Sequence, residues 1–317
     1  MSGQPAPDAP DTPDTPVRLM RWAARDLARH GIDSADTEAR RLMAHVLGVD
    51  VGRLLLVDHV EPARRAEFEA AVDRRAAGVP LQHITGRVGF GTVELAVGPG
   101  VFIPRPETEL IVEWALRRLP SPQRRAPLRI VDLCSGSGAL ALAIAHRLPA
   151  AEVVAVEVDD AALTWLRRNV ERLGPAGRVH VHRADVTDHD AMSALFDDAS
   201  VDLVVSNPPY VPTTATVGAE VAHDPDLAVY GGPDGMQVIT PMIAGIARVL
   251  APGGVGGHRT RRHHSRSGGP RAQGRRSFRR YRVTPGPGRP ASVRHGRSVH
   301  RGVGALGGEP GHARMNG

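Results

Sequence analysis

The chain reads as an α/β protein: a doubly wound, mostly parallel sheet preceded by a small all-helical domain. Three observations predict this. Short apolar runs alternate with helix-periodic stretches between residues 128 and 250, the pattern of strand–helix–strand units. The first run ends in a glycine-rich turn, Asp132-Leu-Cys-Ser-Gly136-Ser-Gly138, that opens a helix. Ahead of them, residues 17–86 carry helical periodicity without strand alternation.

The elements follow in order. Residues 1–16 hold five Pro and three Asp and read as a disordered leader. Leu19, Met20, Ala23, Ala24, Leu27 and Ala28 form one helical stripe that Gly31 closes. A second helix follows a Ser34/Asp36 cap, with Ala39, Leu42, Met43, Val46 and Leu47 inward and Gly48 ending it. A third runs from about Pro62 to Ala77 and stops at Gly78. Residues 87–105 alternate and contain Gly, which predicts a hairpin linking the helical domain to a second domain over 106–252. Pro106 and Glu107 suit a helix N-terminus, and Leu110, Ile111, Trp114 and Ala115 give that helix its buried face. Strands are expected at Leu128–Leu133, Val153–Glu157, Val179–Arg183 and Val201–Ser206, with helices from Gly138, over Ala161–Leu173 and over Val238–Leu250.

Charge divides the chain. It has no Lys; all 40 basic residues are Arg, and the net charge is +6. Residues 1–252 sum to −8, whereas residues 253–317 carry 15 Arg against one acid. The longest purely apolar run, Ala139 to Ala145, is far short of the roughly 20 residues of a membrane span. The leader lacks the basic and apolar regions of a secretory signal. The single Cys cannot form an internal disulfide, which fits a reducing cytosol.

Asn207-Pro-Pro-Tyr210 follows the fourth predicted strand and so lies at the carboxyl edge of the sheet, beside the glycine turn. An amide or amino nitrogen is a poor nucleophile because its lone pair is delocalised. The Asn207 side-chain oxygen and the Pro208 carbonyl can hold its two hydrogens and steer the lone pair, with a planar group lying against Tyr210. Pro208 and Pro209 stiffen the loop. Gly136 and Gly138 allow close backbone approach to a ligand, and Glu157, ending the second strand, can accept from both hydroxyls of a ribose. Taken alone, Gly136-x-Gly138-x-x-Ala141 also fits a dinucleotide fingerprint. Asp185 can accept from an adenine amino group or cap the next helix. Cys134 reads as a small packed thiol, and Asp234 in Gly231-Gly-Pro-Asp-Gly235 as turn chemistry.

With these motifs in order, together with Phe102-Ile-Pro-Arg-Pro-Glu-Thr-Glu109 and Pro80-Leu-Gln-His-Ile-Thr-Gly86, residues 17–252 resemble the protein-(glutamine-N5) methyltransferases that act on peptide-chain release factors. Asn-Pro-Pro-Tyr is shared with DNA adenine and other amino methyltransferases; the Pro-Arg-Pro-Glu-Thr-Glu segment and the helical domain are narrower. The resemblance implies a class I S-adenosyl-L-methionine-dependent fold and a glutamine acceptor in a Gly-Gly-Gln loop. It implies donor binding by Cys134, Ser135, Gly136, Ser137, Gly138 and Glu157, with Asp185 near the adenine and Asn207 adjoining. It implies catalysis and acceptor binding by Asn207, Pro208 and Tyr210, with Pro209 between them. The helical domain would dock the release factor, and a monomer in the cytoplasm is expected. Cys134 departs from a family pattern that often has glycine, which predicts crowding there. Glu107 and Glu109 are read as helix-end and substrate-loop organisers rather than bases. The alternative within the class is methylation of adenine in nucleic acid, against which the −8 balance of residues 1–252 argues.

Residues 253–317 hold 16 Gly and 15 Arg but only seven Ile, Leu, Val or Phe, which predicts a disordered tail and a sheet lacking its closing strands. A change of reading frame near Val255–His258 is one account: the codons allowed for His258 to Arg266, reread one base later, can yield Ile-Glu-His-Asp-Asp-Thr-Thr-Arg, which resembles a closing strand of the family. The rival account is an Arg-rich tail that binds RNA, the only route to nucleic acid in this chain. The tail's six His show no metal-ligand spacing, and no metal is expected.

Overall fold

The computed structural model describes residues 14–119, 127–174, 177–218, 220–261, 276–286 and 289–297. Most of the leader (1–13) and parts of the tail therefore lie outside the described residues. The leader's last residues are ordered, contrary to expectation. Thr15 caps helix α1 (Pro16–Arg29) by accepting from the Arg18 amide, and Asp14 pairs with Arg65 at 2.7 Å. Helix α2 (Ala35–Leu47) ends at Gly48 in the left-handed conformation, and α3 (Pro62–Ala76) and the short α4 (Leu81–Thr85) complete the helical unit. Leu27, Leu42, Met43 and Phe68 are its buried centre, whereas Ala28, assigned to the stripe from its spacing, is exposed. Arg75 is buried within this unit and pairs with Glu38 at 2.5 Å.

Strands β1 (Arg87–Phe90) and β2 (Val93–Ala96) form the linking antiparallel hairpin, followed by α5 (Glu109–Leu116). The catalytic unit then runs through β3 (Leu128–Leu133), α6 (Ala139–Arg147), β4 (Ala151–Glu157), α7 (Asp160–Leu173), β5 (Val179–Arg183), α8 (His189–Leu195) and β6 (Val201–Ser206). After β6 come α9 (Asp226–Val229), α10 (Ile239–Val249), β7 (Leu250–Arg261), β8 (Arg276–Gly286) and β9 (Arg289–Arg297).

The sheet order is β5-β4-β3-β6-β7-β8-β9, with parallel pairing from β5 through β7. Successive residues of β3 and β6 feed opposite cores. Ile130, Leu203 and Val205 pack with α5 and α6 on one face, and Val131, Leu133 and Val204 pack with Met242 and Ile246 on the other. Helices on both faces are what a parallel sheet requires. The strand order reverses between β3 and β6, which places the functional crevice at the carboxyl ends of these two strands.

The sheet does not stop where composition predicts. From residue 253, where a disordered tail is expected, β7 continues parallel to β6, with Leu203 opposite Val255 and Ser206 opposite His258, and β8 and β9 add antiparallel pairing. The physical reason is that pairing is a backbone property. The outer edge of β6 presents a row of amides and carbonyls that another strand satisfies whatever its side chains. The consequence is a strand that buries His258, Arg259 and Thr260. The buried Arg259 guanidinium is met by Thr108 Oγ1 at 3.0 Å and lies 3.7 Å from a Glu107 carboxylate oxygen.

Candidate active site

The turn from β3 into α6 is tight because two glycines sit at positive φ. Gly138 (φ 86°) has no room for more: a Cβ there would meet Leu166 at 2.6 Å. Gly136 (φ 56°) faces open space, so its need is conformational. Cys134, where the resemblance leads to an expected glycine, also has a positive φ of 59°, a backbone conformation that glycine suits. Burial raises its thiol pKa well above the ordinary value, with Glu157 and Asp132 adding to the effect, as for a packed thiol rather than a nucleophile.

Glu157, at the end of β4, is buried and turned back onto the loop. One carboxylate oxygen accepts from the Gly136 amide at 2.7 Å, the other from the Val158 and Asp159 amides at 2.8 and 3.0 Å. These bonds fix the carboxylate's orientation and use three of its roughly four acceptor sites. Asp185 accepts from the Thr187 amide and hydroxyl at 2.8 and 2.7 Å, while Asp188 caps α8; the helix-cap reading of Asp185 is therefore displaced by its neighbour.

A cavity of about 280 Å³ opens at the switch point. It brings together Cys134, Ser135, Gly136, Ser137, Glu157, Asp185, Asn207 and Pro209. Gly138, Pro208 and Tyr210 are not among its walls: Gly138 packs under Leu166, Pro208 is buried and Tyr210 is half-buried. Glu157, Asp159 and Asp185 give the cavity acidic character, which favours a cationic ligand. Asn207 lines the same cavity, and its Oδ1 is buried and has no hydrogen-bond partner. A buried acceptor left empty costs stability and is a mark of a ligand site. An open glycine turn, a set of carboxylates and an orphaned acceptor together suit a positively charged nucleotide-like donor beside an N–H acceptor group.

The Asn-Pro-Pro-Tyr loop is backed by the Gly231–Gly235 turn. Cβ atoms at Gly231 and Gly235 would strike the Pro209 and Tyr210 carbonyl oxygens at 2.7 and 2.4 Å. Asp234 accepts from the Met236 amide at 2.9 Å, the turn role expected of it. Glu107 and Glu109 do not line the cavity, although Thr108 between them does.

Sequence reasoning missed Asn169. From α7 it donates to the Ser137 carbonyl at 2.9 Å, donates to the Ala96 carbonyl at 2.9 Å and accepts from the Ala96 amide at 2.7 Å, tying the hairpin to the glycine turn. Its signal was an amide side chain continuing the buried stripe of Ala162 and Leu166. Phe102, Pro225, Leu227 and Ala228 also line the cavity, and sequence reasoning assigned none of them to it. Among the described residues, no cluster of His, Cys, Asp and Glu could hold a metal, and no helix is long and apolar enough to cross a membrane.

Comparison with known proteins matches residues 18–86 to the PrmC N-terminal domain and residues 108–224 to the methyltransferase small domain. A release factor glutamine methyltransferase of Mycolicibacterium smegmatis is 50% identical over 233 residues, covering 73% of this chain and 79% of that one. Its namesake in Streptomyces coelicolor is 46% identical over 241 residues, covering 74% and 80%. That of Corynebacterium glutamicum is 44% identical over 238 residues, covering 75% and 82%.

Proposed function

The chain belongs to the release factor glutamine methyltransferase family and is an S-adenosyl-L-methionine-dependent methyltransferase, and we propose that its acceptor is the side-chain amide nitrogen of the glutamine in the Gly-Gly-Gln loop of peptide-chain release factors. The observation that carries this reading is Asn207, which lines the cavity together with Glu157 and whose side-chain oxygen is buried without a partner.

A primary carboxamide has two N–H hydrogens to place. Asn207 Oδ1 accepts one and the Pro208 backbone carbonyl the other, which fixes the plane of the amide and turns its nitrogen lone pair toward the donor. Holding the two hydrogens also draws electron density onto the nitrogen, so positioning and activation come from the same contacts. Pro208 and Pro209 bring no backbone N–H that would compete for these acceptors, and the Gly231–Gly235 turn packs closely against the Pro209 and Tyr210 carbonyls. Tyr210 is half-buried and does not line the cavity, so no contact with the amide is assigned to it. The Gly136 turn, the Glu157 carboxylate and Asp185 hold the donor, which supplies an electrophilic methyl group on a sulfonium. No side chain is assigned as a general base, since neither Glu107 nor Glu109 reaches the cavity wall; the nitrogen becomes far more acidic as it is methylated, and its proton passes to water.

The test is incubation of the full chain with methyl-labelled donor and a purified release factor, in parallel with the same factor carrying Ala in place of the loop glutamine. Label is expected in the first and absent in the second. Equal labelling of both factors, or transfer to adenine in DNA instead, would overturn the assignment.

A further inference from the structure

Two walls of the cavity come from segments far apart in sequence, and they meet at one buried carboxylate. Asp224 lies in the stretch between the Asn-Pro-Pro-Tyr loop and α9, and its side chain has no solvent exposure. One of its oxygens accepts from the Ile103 amide at 3.0 Å and the other from Arg105 Nη2 at 2.5 Å, contacts that span 121 and 119 residues of sequence. The Arg105 guanidinium lies in turn 5.3 Å from the centre of the Phe102 ring. Phe102 and Pro104 line the cavity from one segment; Pro225, Leu227 and Ala228, directly after Asp224, line it from the other. The same stretch is tied to the helical unit, where Arg75 reaches Glu220 at 2.9 Å.

A carboxylate withdrawn from water is retained only where partners replace its hydration. Here both partners belong to the 102–105 strap, so the pairing fixes where the strap stands relative to 221–229. The donor-facing carboxylates Glu157 and Asp185 take their hydrogen bonds elsewhere, from Gly136, Val158, Asp159 and Thr187.

We infer that Asp224 is a positioning residue for the acceptor: with Arg105 it clasps the 102–105 strap to the 221–229 segment and sets the width of the entrance through which the acceptor reaches Asn207. The inference rests on the proposed carboxamide reading of the site. It adds a residue that touches neither donor nor reacting nitrogen, yet governs access to them.

The test compares full-chain wild type with Asp224→Ala and the isosteric Asp224→Asn. Three readouts are taken: amide hydrogen exchange, S-adenosyl-L-homocysteine binding, and KM and kcat for a release factor. In Asp224→Ala, exchange at Ile103 and across 221–229 rises by about tenfold or more while the sheet keeps its protection. Acceptor KM rises by about tenfold or more, with kcat and S-adenosyl-L-homocysteine affinity changing by no more than about twofold. Asp224→Asn keeps an oxygen for the Ile103 amide and restores its protection in part. Unchanged exchange in the two segments, loss of protection spread over the whole sheet, or loss of S-adenosyl-L-homocysteine affinity with KM unmoved would each overturn the clasp. Should wild type label no glutamine, the proposed acceptor is wrong, and the exchange of the two segments still decides whether Asp224 joins them.

Discussion

Strands β6 and β7 run side by side in the same direction, but they bury different chemistry. Strand β6 buries Val201, Leu203, Val204 and Val205, and Ser206 at its end donates to the Leu133 carbonyl at 2.7 Å. The unmet polar atom at this end of the strand belongs to the next residue, Asn207. Strand β7 buries His258, Arg259 and Thr260, and Arg259 finds partners in Thr108 and Glu107. A polar group can thus be buried for two reasons. It can be accommodated, with partners drawn from neighbouring elements, or it can be left open for a molecule that is yet to arrive. The first kind stabilises little or nothing; the second costs stability and yields function.

The largest expected effect comes from closing the open kind. Asn207→Ala should lower kcat for the release factor by about 10²–10³, the cost of losing one preorganised hydrogen-bonding group. It should leave the thermal midpoint unchanged or slightly raised, because the oxygen removed has no partner in the resting protein. Ser206→Ala, one residue earlier, reverses the pattern. It deletes a satisfied bond and should cost about 1 kcal/mol of stability with a smaller effect on turnover. Comparable stability losses in both variants would mean that Asn207 is structural.

The second effect tests β7. If the segment from His258 onward is read out of frame, a chain carrying the shifted reading puts Ile, Glu and His where His258, Arg259 and Thr260 are buried. Only the first of these exchanges buries an apolar side chain in place of a polar one, which is worth about 1.5–3 kcal/mol and for a domain of this size raises the midpoint by about 5 °C. Matching melts for the two chains would leave the Arg-rich segment as the native end of the sheet. Truncation at Pro252 is not an equivalent test, since it removes nearly all of β7 from beside β6.

The same contrast shows how far the sequence was readable. Strands β3, β4 and β6 announce themselves because a strand buried on both faces needs a continuous apolar run, such as Leu203, Val204 and Val205. The glycine turn announces itself because its backbone disfavours any side chain. Strand β7 was not readable past Val255 because its side chains carry no apolar alternation, and its pairing is decided by the free edge of β6. At the site, the residues that end strands were legible, because topology alone brings strand ends to one crevice. Asp224, Phe102 and Leu227 were not, since contacts across some 120 residues depend on how the units pack. Nor does spacing tell which of the successive residues Asn207, Pro208, Pro209 and Tyr210 will face the cavity; the first and third do.

Asp132 on β3, opposite Val205 of β6, combines both kinds of burial in one side chain and gives the third effect. One of its oxygens accepts from the Ala141 amide at 3.1 Å, and the other is buried without a partner. Burial lifts its pKa to about 8, with the nearby Glu157 adding to the rise and the Ala141 bond opposing it. The folded chain therefore holds a proton that the unfolded chain releases near its ordinary value of 3.8. The stability this contributes is fully present below that value and is lost as pH rises toward about 8. Asp132→Asn, which mimics the protonated acid, should remove that downward trend. Denaturant midpoints across this range should show wild type losing ground to the variant as pH rises; parallel curves would mean that the acid is ionised in the fold.

The smallest effect belongs to Cys134, which follows β3 directly and pays for its place in backbone rather than in hydrogen bonds. At φ 59° it occupies the left-handed region, where an L side chain is disfavoured by roughly 1–2 kcal/mol. Glycine adopts the same φ freely but loses more entropy on folding, by about 0.5–1 kcal/mol, and it gives up the packing of the thiol. Cys134→Gly should therefore gain about 1 kcal/mol at most, a rise of a few degrees in the midpoint. Cys134→Ala separates the two contributions, since it keeps the strain and removes only the sulfur, and it should be neutral to mildly destabilising. A glycine variant less stable than the alanine variant would show that packing, not backbone strain, decides this position.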